Sequence, residues 1–157
     1  MRQKIWSFGD QFTIKNEQGE NCYEVKGRIF TLGDQLAVND MDGNKLAFIK
    51  QRIFSFMPNY EIYVGDELRA RVEKQFTLFK SRFTVDIPGP NDYSVEGDFL
   101  GYNYQFLRGG QNIASVSKQF FAWSDTYGVD VAEGEDDLLI LASTVVIDMV
   151  CHSNDDS

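Results

Sequence analysis

The segment that most limits what this chain can fold into lies near its C-terminus. Leu138 to Ile147 form an almost wholly apolar run (LLILASTVVI), interrupted at Asp148 and continuing through Met149-Val150-Cys151. The acidic stretch Glu133-Gly134-Glu135-Asp136-Asp137 precedes it, and acids at that position complement the positive end of a helix dipole. A bilayer-spanning helix needs roughly 20 apolar residues, so the pattern predicts a buried core helix instead. Its apolar residues fall on every side, and such a helix must be covered on every side.

The rest of the chain supplies a cover. Phe12–Lys15 and Cys22–Lys26 flank a turn at Gly19, and Leu36–Val38 and Leu46–Lys50 flank Asp42-Gly43-Asn44. Tyr60–Val64 and Leu68–Val72 flank Gly65-Asp66, while Tyr104–Leu107 and Ile113–Lys118 flank Gly109-Gly110. Alternation around a glycine-containing turn is the hairpin signature. Further strands are expected near 4–8, 28–32, 82–87, 92–97 and 127–131. Pro58, Pro88 and Pro90 fall between these runs, where they spare the hydrogen-bonded ladders.

A helix is about 10 Å across, too wide for an eight-stranded barrel already filled by its own side chains. A can of about 11 strands does hold a central helix. The chain is therefore expected to be mainly β, a closed antiparallel barrel of about 12 strands around a buried C-terminal α-helix. The competing sandwich, with the helix on one face, would leave apolar helix surface exposed. Residues 1–152 read as a single domain and 153–157 as an acidic tail.

Composition narrows the chemistry. The chain has 157 residues, 24 acids against 15 bases, and a formal net charge of −9. Nucleic-acid binding needs a basic footprint, so no nucleic-acid partner is expected. All nine excess acids lie beyond residue 118, which leaves residues 1–118 neutral with local basic stretches. His152 is the only histidine, and Cys22 and Cys151 are isolated thiols. No nucleotide-binding, nucleophile-elbow or metal-protease motif is present. An enzyme, a metal site and a cofactor are accordingly not expected. The N-terminus lacks a signal-peptide apolar region, so the chain reads as cytoplasmic.

Several segments together carry a family resemblance. They are Lys4–Ile14, Asp42-Gly43-Asn44, Ile53–Ile62, Val95–Phe99 and Ser117–Tyr127, the last running through Glu135–Leu138 into the helix. In order and spacing the chain, from about residue 2 to 152, resembles the LURP-one-related family of the tubby C-terminal-like and phospholipid-scramblase-like superfamily. The resemblance implies a twelve-stranded barrel around a central C-terminal helix, and a binding or scaffold fold with no settled activity. Some superfamily relatives bind phosphoinositides.

Arg69, Arg71, Lys80 and Arg82 are the candidate ligand-binding residues. Arg69 and Arg71 alternate with Leu68, Ala70 and Val72, and Lys80 and Arg82 with Ser81 and Phe83, which predicts cations on an outer strand face. Such cations can meet an anionic headgroup, or simply solvate the face and blunt edge pairing. The Asn39–Asn44 segment fails as a calcium loop, because Val38 and Ile49 would occupy ligand positions; it is read as a hairpin turn. Asp125, Asp130, Glu133, Glu135, Asp136 and Asp137 serve the helix dipole or hold a divalent cation. Phe54, Phe56, Phe76, Phe79, Phe83, Phe120, Phe121, Trp123 and Tyr127 could line a ligand pocket, but core packing around the helix is the favoured expectation. Asp148, inside the apolar helix, needs partners, either a barrel arginine or, beyond the rim, water. The expected function is a non-catalytic binding or scaffold protein with an unknown protein or lipid partner. The alternative is a peripheral membrane protein holding anionic lipids or phosphoinositides through the basic strand face.

Overall fold

The computed structural model describes residues 2–8, 11–28, 33–78, 80–118 and 126–152, with side chains described for 12–27, 33–78, 80–118 and 127–152. The first six strands are β1 (Arg2–Phe8), β2 (Gln11–Lys15), β3 (Asn21–Arg28), β4 (Gln35–Asp40), β5 (Lys45–Gln51) and β6 (Asn59–Val64). The next six are β7 (Glu67–Gln75), β8 (Arg82–Asp86), β9 (Tyr93–Asp98), β10 (Asn103–Arg108), β11 (Gln111–Ser117) and β12 (Thr126–Val131). Helix α1 (Asp137–His152) follows. The strand expected near 28–32 falls, apart from Arg28 at the end of β3, outside the described residues.

The strands form one long antiparallel sheet in chain order. β1 pairs with β12 as well as with β2. Because every pairing is antiparallel, successive connections fall at alternate ends. The β2–β3, β4–β5, β6–β7 and β10–β11 turns share one end with the β12–α1 connection. The β5–β6, β7–β8 and β9–β10 loops lie at the other, where the helix finishes.

Period-2 alternation fills the interior. Leu36, Val38, Ile49, Ile62, Val72, Val85, Val95, Phe106 and Val116 are buried from successive strands. Against them lies the helix, with Leu139 to Met149 buried without interruption. Burial of Ser143 and Thr144 is tolerated because their hydroxyls donate to the carbonyls of Leu139 and Ile140, each at 2.8 Å. Asp136 caps the helix: its Oδ1 accepts from the Leu139 amide at 3.1 Å. The acids ahead of the helix thus do the work expected of a helix start.

The hairpin repeat has a structural counterpart. Asn16 Oδ1 accepts from the amides of Gln18 and Glu20, and Asp40 Oδ1 from those of Asp42 and Asn44. Two side chains 24 positions apart therefore close equivalent turns. In four hairpins the register slips by one residue just past the turn, leaving Cys22, Leu46, Arg69 and Ile113 as the extra residue. Such bulges bend a sheet and increase its twist. At Gly97 (φ 141°) a Cβ would lie 2.6 Å from the Asn103 carbonyl oxygen, so a side chain there would push β9 from β10.

Two substitutions test this packing by urea denaturation. Asp136→Ala is expected to cost about 1 kcal/mol through the lost cap. Ile147→Ala is expected to cost roughly 2–5 kcal/mol, because the surrounding wall cannot collapse into the space.

Candidate functional site

The four cations expected to act together are separated. Arg71 faces Glu61 across the β6–β7 pair, with Nε 3.7 Å from Oε2. Arg69 is engaged elsewhere. It is the extra residue of the β6–β7 bulge, and its guanidinium lies 3.7 Å from Asp136 at the helix start. The alternation that would align Arg69 with Arg71 is broken there: Leu68 opposes Tyr63, and Ala70 opposes the buried Ile62. Arg82, opposite Gln75, lies at the other end of β7 and pairs with Glu96 at 2.7 Å. The six positions from Arg69 to Gln75 span about 20 Å of strand. Lys80 is exposed in the β7–β8 loop. No single headgroup reaches all four, and three of them already face a carboxylate.

The Asn39–Asn44 segment is the hairpin turn expected of it, with Asp40 carrying the local hydrogen bonds. These bonds, led by that from the Asn44 side chain, hold the Asp40 carboxyl below its ordinary value. At the helix start the acids have separate tasks. Glu135 takes a two-pronged contact from Arg108 at 2.7 and 2.6 Å, and Asp136 caps. Burial pushes the Asp137 carboxyl up. Among the described residues no three His, Cys, Asp or Glu side chains are placed to hold a metal ion. Asp125 lies outside the described residues.

Asp148 has neither of its expected partners. It is buried, and its two carboxylate oxygens accept from Tyr102 Oη at 3.0 Å and Tyr127 Oη at 3.1 Å. Tyr102 sits between two further rings, stacked on Tyr127 at 4.6 Å and on His152 at 4.3 Å. Lys118 Nζ lies 4.9 Å from the Tyr102 ring centre, and His152 Nε2 lies 3.1 Å from the Phe99 carbonyl oxygen. Tyr102 has φ 51°, a left-handed backbone that a bulky residue adopts only when its surroundings hold it there. Burial pushes the Asp148 carboxyl above its usual range, and the Tyr102 bond, His152 and the Tyr127 bond oppose that only in part. Burial likewise raises Tyr127 well above its ordinary value and pushes the Cys151 thiol up to about 11. The cluster fastens the helix C-terminus to the β9–β10 loop and β12. Its groups are committed to one another, and the histidine is held in a stack.

The aromatic residues divide. Phe83 is buried in the core, as expected, and Tyr127 serves Asp148. Phe54, Phe56 and Phe76 correct the core expectation: they are 101%, 95% and 74% exposed. The reason is position, since all three lie in the β5–β6 and β7–β8 loops rather than on inward strand positions. Ile53, Leu78 and Leu100 are also exposed at that end. Phe79, Phe120, Phe121 and Trp123 lie outside the described residues.

Comparison with known proteins gives a consistent result. The model of the family described as LURP-one-related matches residues 1–148. The chain is 36% identical over 157 residues to the uncharacterised protein YxjI of Bacillus subtilis (strain 168), covering 99% of this chain and 94% of that one. It is also similar to an X-ray structure of a protein from Arabidopsis thaliana, with a TM-score of 0.65 at 17% identity, over 93% of this chain and 87% of that one. The second likeness concerns the fold alone. Among the described residues, no helix is long and apolar enough to cross a membrane.

The Asp148 cluster makes two checkable statements. Tyr127→Phe leaves a buried carboxylate oxygen without its donor and is expected to cost roughly 1–3 kcal/mol in urea denaturation. The folded state also holds the Asp148 proton more tightly than the unfolded chain does. Stability from this group is therefore full below about pH 4, the ordinary Asp value, and declines as pH rises toward the raised folded value. Asp148→Asn is expected to lack that component of the decline.

Proposed function

The chain belongs to the LURP-one-related family, and from that premise and its packing we propose that it is a non-catalytic binding or scaffold protein that meets its partner on its outer surface. The filled interior carries the proposal. Helix residues Leu139 to Met149 and the inward residues of the strands occupy the space in which a barrel would hold a ligand. A cavity of about 150 Å³ lies against Leu68, Ala70, Arg71, Asp86 and Pro88, below the roughly 300–1,000 Å³ of small-molecule sites. In the same reading the sheet closes on itself around the helix, which the pairing of β1 with both β2 and β12 supports. A cytoplasmic location, with access to the membrane surface, belongs to the same proposal.

Headgroup capture by Arg69, Arg71, Lys80 and Arg82 as one site is not part of it, given their separation and their acidic neighbours. Of the four, Lys80 and Arg82 border the loops that carry the exposed aromatic residues.

Native mass spectrometry of the purified full chain tests the proposal. The expected spectrum is that of the bare polypeptide. A small molecule retained at one per chain would contradict it, because the described residues fill the interior with their own side chains.

A further inference from the structure

We propose that the β5–β6 and β7–β8 loops form a docking surface for an anionic lipid bilayer, with Phe54, Phe56, Phe76 and Leu78 entering the interfacial layer. This rests on the outer-surface reading and names the partner. The two loops are neighbours: the Lys74 amide donates to the Pro58 carbonyl at 3.0 Å, and Asn59 Nδ2 donates to Glu73 Oε1 at 2.8 Å. Phe54, Phe56, Phe76 and Leu78 are 101%, 95%, 74% and 81% exposed. Exposed apolar side chains gathered in one place mark an interaction site more often than scattered ones do. These four stand on loop tips at one end of the molecule, beyond the buried core.

Charge selects the partner. Residues 52–58 (RIFSFMP) and 76–82 (FTLFKSR) contain three cations, Arg52, Lys80 and Arg82, and no acid. All three are exposed, and Arg82 also contacts Glu96. Apolar tips ringed by cations fit a surface that offers anionic headgroups over an apolar layer. A second copy of the chain fits less well, since a two-fold contact at this end would set Arg52 and Lys80 against their own equivalents. The net charge of −9 does not forbid the contact: of the acids at this end, Asp34, Glu73, Glu96 and Asp98 lie outside the two loops, with Glu73 and Glu96 engaged by Asn59 and Arg82, and many of the others lie elsewhere. Glu17, Glu20, Asp40, Asp42, Asp66, Glu67 and the acids of 133–137 occupy the turns at the opposite end. The 16-residue helix between the two ends is about 24 Å long, roughly three Debye lengths at physiological salt. Screening therefore hides the acidic end from a bilayer at the loop end.

Co-sedimentation of the full chain with vesicles tests the inference, comparing phosphatidylcholine alone with an equimolar mixture of phosphatidylcholine and phosphatidylglycerol. The expected result is binding to the mixed vesicles that weakens with added salt and is much lower on phosphatidylcholine alone. Phe54→Ser/Phe56→Ser is expected to lower partitioning at least about tenfold, and Lys80→Gln about fivefold. Arg71→Gln, on the side wall, is expected to bind as the parent does. All these side chains are at least partly exposed, and circular dichroism with thermal melting verifies that each variant folds. Phe76→Ser/Leu78→Ser provides an independent second disruption. No binding of the parent chain to mixed vesicles at low salt overturns the inference. So does undiminished binding by both double variants, or a dimer in sedimentation velocity that Phe54→Ser/Phe56→Ser dissolves. A bare chain in native mass spectrometry together with no vesicle binding leaves the outer-surface reading in place and removes only the lipid partner.

Discussion

A helix with eleven consecutive buried residues is stable in water only if something covers its whole circumference, and every other feature of this protein answers to that requirement. Seven of the eleven are Leu, Ile, Val or Met, each worth roughly 1.5–3 kcal/mol when fully buried, so the helix contributes heavily to the core and would expose that apolar surface if it stood alone. The sheet supplies the cover. Its inward residues are aliphatic or aromatic on strand after strand, and its bulges past four of the turns bend it. The two ends of the helix are fixed by different means. At the start, Asp136 caps the amides while Arg108 holds Glu135; at the finish, Tyr102 and Tyr127 neutralise the need of a buried carboxylate.

This arrangement divides the molecule into parts with separate tasks. The interior is committed to stability, and under the proposed function recognition falls to the outer surface. The turn end is acidic and closed by side chains that bond their own backbone. At the other end the β5–β6 and β7–β8 loops are cationic and apolar at their tips, where strand packing does not constrain residue choice. A fold of this kind can change its loops without disturbing its core, and its architecture by itself says little about function.

Much of the fold was legible in the residues. The 24-residue spacing between Asn16 and Asp40 reflects two turns closed in the same way, and the helix followed from apolar residues on every side with acids ahead of it. The site was far less legible. Arg69 and Arg71 look like neighbours on a face because alternation is assumed, and one inserted residue at the bulge removes that premise. Phe54, Phe56 and Phe76 look like core because aromatic residues usually are; only their place between strands tells otherwise. For Asp148 the sequence signalled that a partner was needed but not which one, since Tyr102 and Tyr127 are 46 and 21 positions away. Pairings across such distances are set by the wall's geometry rather than by any local pattern.

The central claim is that the helix is an integral part of the core rather than an element docked on it. Native-state hydrogen exchange on the full chain tests this most directly, read at the amides of Ile140 to Ile147. Their exchange is expected to require global unfolding, with the same opening free energy as Val85 and Val95 on β8 and β9. Exchange of the helix through a separate, lower-energy opening while those strands stay protected would contradict the account.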